Sequence, residues 1–532
     1  MDSIEWNDVQ GLLLSGYPRL PYSAYVVWRF RPDGGDASGR WLGGLSKRIM
    51  RAAPAEGHAH SAEAEPTDIR TLKAANGGHH RAINVALTAT GLRKLNLDER
   101  QIAEFAFEFL EGMAPRPAVD AAVSRRSNLL GDIGECAPDR WDWGGTSDVD
   151  GMLLLFSTGE GDLQALIESE ITAMRACCEV VVSAGHATGT PVILQSQLYD
   201  DRKEHFGFTD GISQPTIEGS PKAKRSKDRL KKKSPIDDED GGTMLSAREQ
   251  RISLVKPGEF VLGYPNERRE SITSAVAGEE PRTCDLLRNG TYLVFRQLEQ
   301  DVEAFDAFAS QLAKQIYGNT DPSSQELAAA RLIGRHKNGE PLISGAADST
   351  KKTSRNDFLY AFEDGSGMAC PVGAHIRRAN PRDIIGPDPD TALRLSKMHR
   401  IIRRGRPYGP RRGEGKPDAR RGIAFIALNA DIAGQFEMIQ HSWLNNPNFG
   451  GLYAGCDPIG HVTHVDDEFA VQQRPANLHV RKPRPFVTVR GGAYFFLPGI
   501  KAIQAMADAA GSRAAAPLSA TEESKRRSAV FG

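Results

Sequence analysis

Four segments of the chain repeat one pattern, in which a short apolar run is followed by a polar turn and then by apolar residues at helical spacing. They are INVALTATGLRKLNL (83–97), GMLLLFSTGEGDLQALIESEITAM (151–174), GTYLVFRQLEQDVEAFDAFASQLA (290–313) and GIAFIALNADIAGQFEMIQHSWL (422–444). Short apolar runs of this kind are typical of buried strands, and the spacing of Leu163, Leu166 and Ile167 indicates an amphipathic helix. The sequence therefore predicts four strand–helix units.

Alternating strands and helices usually indicate a parallel, doubly wound sheet. Two other apolar runs, AYVVWRF (24–30) and AYFFLPG (493–499), show no crossover helix pattern of the expected length after them. The four units also fall into two pairs, one pair in each half of the chain, which indicates a duplication. We therefore predict an α+β protein of two ferredoxin-like halves, each with an antiparallel sheet and peripheral helices.

The predicted N-terminal domain is residues 1–220 and the predicted C-terminal domain is residues 246–508. Between them, residues 221–245 contain a basic block followed by an acidic one, KAKRSKDRLKKKSPIDDEDGG (222–242). Interleaved aromatic residues, which a nucleic-acid surface uses for stacking, are absent from this block, so we interpret it as a flexible insertion. A nucleic-acid-binding or partner-binding module at 222–233 is the alternative. Residues 509–532 are small, polar and charged, as in a disordered tail.

Composition narrows the class of protein further. The 532 residues carry a net charge of −1, which predicts no general attraction to nucleic acid or to a membrane surface. The first residues are acidic, and no window approaches the ~18 apolar residues of a membrane span, so neither an export signal nor a membrane anchor is expected. The six cysteines form no C-x-x-C spacing, which argues against a zinc site or a disulfide framework. These features predict a cytoplasmic protein.

Two segments combine reactive side chains with unusual neighbours. HFGFTDGISQP (205–215) holds Asp210 in a tight turn, although Asp-Gly is also ordinary turn chemistry. MACPVGAHIRRANPRD (368–383) places small residues before His375 and several arginines after it. A large planar anionic cofactor held by one axial imidazole requires this combination, because it needs space, a neutral ring nitrogen and cations for its carboxylates.

A third segment, HRIIRRGRPYGPRRGEGKPDARRG (399–422), is strongly basic. Two isoleucines before Arg403 indicate the end of a strand or helix that points inward, and Gly405 and Pro407 fix the turn that follows. An arginine on a rigid, buried element is suited to stabilising negative charge that develops in a reaction. A basic surface loop is the alternative interpretation.

Six segments occur together in the order and with the spacings of one known family. GFTDG (207–211), GEFVLGYPNE (258–267), AHIRRANPRD (374–383), IIRRGRPYG (401–409), WLNNPNFGGL (443–452) and FVTVRGGAYFFLPG (486–499) resemble the dye-decolourising peroxidase family of haem enzymes, in its longer-chain subgroup. The resemblance implies a fold of the dimeric α+β barrel type with one haem b per chain in the C-terminal half. It also implies a haem peroxidase that uses hydrogen peroxide to oxidise dyes and phenolic or other bulky one-electron donors, and that forms a homo-oligomer in some members.

The resemblance assigns a role to each matched residue. His375 would bind the haem iron, Asp210 would be the acid/base group on the opposite face, and Arg403 would stand beside it, with Arg404 as the alternative. The turn that ends at Gly211 would let the backbone approach the cofactor and would fix the direction of Asp210.

Four further residues match positions around the cofactor. Arg382 would contact a haem propionate, and Ile423 and Phe425 would form the apolar wall near Asp210, with Ile423 where the family often has leucine. Asp457, in GCDPIG, would accept the other N–H of the iron-binding imidazole. The main alternative is that the protein binds haem or handles haem iron without catalytic turnover, in which case Asp210 and Arg403 would have no catalytic role.

Overall fold

The computed structural model describes residues 3–53, 80–119, 121–145, 147–185, 188–224, 246–272, 284–343, 355–415, 419–453, 455–460, 467–481 and 484–511. The predicted charged insertion, from residue 225 onward, and the predicted tail, from residue 512 onward, lie outside the described residues. The predicted domain boundaries therefore stay a prediction.

The strands alternate with helices along most of the chain. The strands are β1 Tyr22–Phe30, β2 Arg81–Leu87, β3 Gly151–Ser157, β4 Cys178–Val180, β5 Ile193–Gln197, β6 Thr216–Ile217, β7 Leu254–Val255, β8 Thr291–Gln300, β9 Ile402–Arg403, β10 Arg406–Tyr408, β11 Gly422–Asn429, β12 Glu468–Val471, β13 Leu478–Arg481 and β14 Val487–Leu497. No helix in the described ranges is both long enough and apolar enough to cross a membrane.

The principal helices fall mainly between the strands of the large sheet. They are α1 Gly35–Ser46, α2 Ala89–Arg93, α3 Glu99–Ala103, α4 Phe107–Glu111, α5 Arg125–Leu130, α6 Glu160–Met174, α7 Ala247–Ser253, α8 Val302–Tyr317, α9 Pro322–Ile333, α10 Tyr360–Glu363, α11 His375–Ala379, α12 Pro389–Met398 and α13 Ile500–Gly511. Two π-helical segments, Ile432–Glu437 and Ile439–Leu444, follow β11.

The main sheet has ten strands in the order β10-β11-β8-β14-β2-β3-β1-β4, with β5 beside β1 and β9 beside β11, and its paired strands are antiparallel. The first half follows the ferredoxin-like order β1-α1-β2-β3-α6-β4. The two halves join edge to edge through β14 and β2, where Phe496 pairs with Leu87. The predicted α+β class with antiparallel sheets is confirmed, and the described strands form no closed barrel.

The expectation that no helix follows the runs at 24–30 and 493–499 is wrong, because α1 follows β1 and α13 follows β14. Glycines weaken the helical signal in α1, GDASGRWLGGLS. Packing against α13 requires at least one of them, since a Cβ on Gly39 would lie 2.5 Å from the carbonyl oxygen of Ala507. Gly39, which lets α1 and α13 approach each other closely, therefore also lowers the helix propensity of α1.

The first half of the sheet depends on a close approach between Gly151 of β3 and Trp28 of β1. A Cβ on Gly151 would lie 2.2 Å from Cζ2 of the fully buried Trp28 ring, which also packs edge-on against Trp41. We expect Gly151→Ala to lower the free energy of unfolding by about 1–3 kcal/mol, because overpacking forces the surrounding side chains to shift. Urea denaturation of the purified protein would measure the change.

Gly161→Ala in α6 is the matched control, since Gly161 is exposed and an added Cβ would meet nothing within 4 Å. This variant should be unchanged or more stable by up to about 1 kcal/mol. Equal stability of the two alanine variants would contradict the packing argument.

Candidate active site

A cavity of about 320 Å³ lies against one face of the sheet in the second half of the chain. Alternate residues of three neighbouring strands line it, because side chains two apart on a strand share a face. These residues are Arg296, Leu298 and Gln300 of β8, Ile423 and Phe425 of β11, and Val487 and Val489 of β14. Other lining residues come from loops, short helices and β9, and they include Asp210, His375 and Arg403.

His375 is the first residue of α11, and its ring lines the cavity. Its Nδ1 lies 3.0 and 3.1 Å from the two carboxylate oxygens of Asp457. Burial alone would raise the pKa of Asp457, but attraction to the His375 ring and hydrogen bonds, including one from the Gly460 N–H, lower it to about 2. An ionised carboxylate that holds Nδ1–H leaves Nε2 as the nitrogen that could bind a metal.

Asp210 and Arg403 form an ion pair on the cavity wall. Nη1 of Arg403 donates to Oδ1 of Asp210 at 3.0 Å, and Nη2 donates to the carbonyl oxygen of Ile212 at 2.9 Å. The side chains of Asp210 and Arg403 are 34% and 37% exposed, so the pair is in contact with solvent. Arg404 instead donates to the carbonyl oxygens of Leu12 and Leu13. The structure therefore puts Arg403, and not Arg404, at the cavity.

The turn that carries Asp210 is built around the carboxylate of Glu204. This carboxylate accepts hydrogen bonds from the backbone N–H groups of Phe206 (2.9 Å) and Phe208 (2.8 Å), and from Nε2 of Gln300 (2.7 Å). Burial raises the pKa of Glu204 to about 7, although these hydrogen bonds favour the charged form. Glu204 also lines the cavity, so its charge and the position of Asp210 are linked.

Two glycines complete this turn, and backbone conformation accounts for both. Gly207 has φ 89° and Gly211 has φ 84°, in the left-handed region that other residues rarely adopt. Gly211 is exposed, is not part of the cavity wall, and has open space where a Cβ would be. Its left-handed conformation is sufficient to explain the glycine, and the close approach to a cofactor that the resemblance implies stays a prediction.

Three buried arginines form a second wall, which we call the arginine wall: Arg335, Arg382 and Arg400. Burial and then repulsion by Arg382 lower the pKa of Arg335 to about 10, and burial, Arg382 and Arg403 lower that of Arg400 to about 9. Arg382 stacks 3.6 Å from the Phe358 ring centroid and donates to the backbone, while burial lowers its pKa also. An anion in the cavity would relieve this repulsion.

The cavity fits a haem on three grounds. One ring nitrogen of His375 is available to iron, and the sheet provides a flat apolar face that includes Ile423 and Phe425. The arginine wall offers positive charge to the two negatively charged propionates. The described residues contain no cluster of three or more His, Cys, Asp or Glu that could hold a metal ion. A macrocycle would therefore have to supply the remaining ligands of an iron bound to His375.

Of the residues singled out in the sequence, those that line the cavity are Asp210, His375, Arg382, Arg403, Ile423 and Phe425. Asp457 lies behind His375, and Gly211 lies outside the wall. Sequence reasoning missed Glu204, Gln300, Arg335 and Arg400. Arg400 lies inside the basic segment 399–422, which could have drawn attention to it, whereas Glu204 and Arg335 stand in segments without a distinguishing pattern.

Glu204 should make the stability of the protein depend on pH. Its pKa is about 7 in the folded chain against an ordinary 4.5. The stabilisation of the folded chain by protonated Glu204 is thus complete below pH 4.5 and is lost as the pH rises through 7. Between pH 5 and pH 8, the free energy of unfolding of the parent should fall by up to about 2.5 kcal/mol more than that of Glu204→Gln, whose side chain stays neutral. Urea titrations at several pH values would measure both.

Glu259, whose pKa burial also raises to about 7, is present in both proteins, so the difference between them isolates Glu204. Parallel stability–pH curves for the parent and Glu204→Gln would contradict the assignment.

Comparison with known proteins identifies the family. The family model described as Dyp-type peroxidase, C-terminal, matches residues 260–450, which include His375 and Arg403. A dye-decolorizing peroxidase of Mycena epipterygia is 29% identical over 477 residues, covering 80% of this chain and 76% of the relative. The multifunctional dye peroxidase DyP2 of Amycolatopsis sp. is 28% identical over 407 residues, covering 73% and 78%.

Solved structures agree in fold. A DyP-type peroxidase of Anabaena sp. superposes with a TM-score of 0.69 at 21% identity, covering 94% of each chain. A decolorizing peroxidase of Auricularia auricula-judae gives a TM-score of 0.67 at 22% identity, covering 95% of this chain and 100% of the other. With the family model, the relatives and the shared fold in agreement, the chain belongs to the dye-decolourising peroxidase family and is a peroxidase.

Proposed function

We propose that this peroxidase holds one haem b on His375 and uses hydrogen peroxide to oxidise dyes and phenolic or other bulky one-electron donors. The observation that carries the proposal is that one cavity is lined both by His375, held by Asp457, and by the Asp210–Arg403 ion pair. The relatives named as dye peroxidases support the class of reducing substrate.

On one side of the cavity, Asp457 would orient His375 and make its ring a stronger electron donor to iron. The negative charge of Asp457 is stable there, because its pKa is lowered to about 2. When bound, haem would supply the redox chemistry, in which hydrogen peroxide is reduced by two electrons and each donor molecule gives up one electron. The arginine wall would bind the propionates and fix the orientation of the cofactor.

On the other side, Asp210 would move the proton of hydrogen peroxide. The O–O bond breaks heterolytically when one oxygen loses a proton and the other gains it, and one positioned carboxylate can make both transfers. The hydrogen bonds that Arg403 and the Gly211 N–H donate to Asp210 both go to Oδ1, which leaves Oδ2 for this task. The partial exposure of Asp210 also allows it to exchange protons with solvent.

Arg403 would stabilise negative charge on the departing oxygen. Its guanidinium is held at two points, by Asp210 and by the carbonyl oxygen of Ile212, so it is oriented before the reaction begins. One well-aimed donor of this kind typically contributes ~3–4 kcal/mol to transition-state stabilisation.

We expect Asp210→Asn to slow the reaction with hydrogen peroxide by about 10²–10⁴-fold, because amide nitrogen and oxygen cannot shuttle the proton. Arg403→Leu should slow it by about 10²–10³-fold. Stopped-flow absorbance of the haem-loaded protein mixed with peroxide, followed by dye bleaching, would measure both. The resting Soret band should stay in place in both variants.

Asp201→Asn is the matched control, because Asp201 is an exposed aspartate that precedes the same turn and pairs with Arg411 outside the cavity. An unchanged peroxide reaction in Asp210→Asn would refute the acid/base role. A parent protein that shows a Soret band but no bleaching would support the non-catalytic haem-binding alternative instead.

A further inference from the structure

A buried ion pair lines the cavity, and the proposed chemistry gives neither of its residues a role. Asp132 follows α5, and Arg296 lies in the middle of β8. Their side chains are only 1% and 5% exposed, and both belong to the cavity wall. Two charges removed from water this completely need well-placed partners for every polar atom.

The pairing between the two side chains is incomplete. Nη2 of Arg296 contacts Oδ1 of Asp132, but Nε of Arg296 and Oδ2 of Asp132 are buried without a hydrogen-bond partner among the described residues. A guanidinium presents Nε–H and one Nη–H along a single edge, so a carboxylate on that edge can accept from both. Here the second of these two hydrogen bonds is not formed. Buried polar groups without partners are rare in folded proteins and call for an explanation.

Apolar side chains surround this pair. Leu130, Cys136, Leu298 and Val489 also line the cavity, and we call the part of its wall that these four residues and the ion pair form the inner recess. Phe425, which also lines the cavity, stands directly opposite Arg296 in the register of β8 and β11. The inner recess therefore offers apolar side chains around one polar pair in the same cavity as Asp210 and His375.

The charges of the pair select the kind of group that can complete it. A ligand carboxylate would face the charge of Asp132 at close range, and a ligand ammonium would face that of Arg296. An uncharged hydroxyl meets both needs, because it can donate to Oδ2 and accept from Nε–H. Burial raises the pKa of Asp132 despite Arg296, which makes its carboxylate a stronger acceptor.

We propose that the inner recess is a binding site for a small uncharged phenol. The phenol hydroxyl donates to Oδ2 of Asp132 and accepts from Nε–H of Arg296, and its ring packs against Leu298 and Val489. The assignment rests on the proposed function, since it names a class of small reducing substrate that binds inside the cavity.

Three ligands of similar shape, phenol, anisole and toluene, distinguish the contribution of the hydroxyl to binding from that of the ring. Anisole keeps an acceptor oxygen but has lost the donor, and toluene has neither. In calorimetric titrations of the haem-loaded protein, phenol should bind about tenfold or more tightly than anisole, as expected for one hydrogen bond to a buried charged group. Equal affinity for phenol and anisole, or no binding of phenol, would show that water alone meets the two polar atoms and would overturn the proposal.

Two variants locate the binding site. Asp132→Asn keeps the shape but replaces the acceptor Oδ2 with an amide donor, so the preference for phenol over anisole should disappear. Leu298→Phe fills the inner recess and leaves the ion pair intact, so it should weaken phenol binding about tenfold or more. Leu327→Phe, at an exposed position of α9, is the control and should change neither affinity.

Thermal melting and the Soret band check that each variant is folded and loaded. If Asp132→Asn does not fold, Leu298→Phe decides alone, because retained phenol binding in that variant would contradict the site. Binding requires no turnover, so the two proposals can fail separately. A protein that binds phenol through Asp132 but does not react with peroxide would refute the proposed function only, whereas one that bleaches dyes without a preference for phenol would refute the inner recess only.

Discussion

The alternation of side chains along β8 is the constraint on which the active site depends. Tyr292 and Val294 pack into the core, whereas Arg296 and Leu298, further along the same face, line the cavity. Phe425 in β11 stands opposite Arg296 and extends the same surface. Because residues two apart cannot change faces independently, the position of the cavity wall is fixed by the packing of the core next to it. The sheet therefore positions this wall of the site.

The third strand of this surface, β14, shares the face only because of a β-bulge. The register with β8 shifts between Val489 and Gly491, so Arg490 is the extra residue, and Val489 then shares a face with Tyr494. A strict two-residue period would put Val489 on the opposite side. The apolar run at 493–499 predicts the strand but not the bulge. The bulge is accompanied by tertiary contacts such as the Arg490–Glu299 ion pair, which the local pattern does not encode.

The sequence could predict the residues that a motif marks, but not those whose role arises only from burial. His375, Asp210 and Arg403 stand in segments whose residue types and order are distinctive, and the fold brings each of them to one cavity. Arg335 and Glu204 carry ordinary local patterns, and a charged residue in a polar segment is normally solvated. Their shifted pKa values come from desolvation by distant parts of the chain, which no local pattern encodes.

Two Asp–Arg pairs line the same cavity, and their solvent exposure determines what each can do. The side chains of Asp210 and Arg403 are about one third exposed, so Asp210 can take up and release protons to water during a reaction. The side chains of Asp132 and Arg296 are almost completely buried, so this pair has much less contact with solvent. A buried pair of this kind is suited to holding a polar group in place, because electrostatic interactions are stronger at low dielectric and packing fixes the positions of both side chains. Identical residue types would therefore be suited to proton transfer in the exposed pair and to recognition in the buried pair.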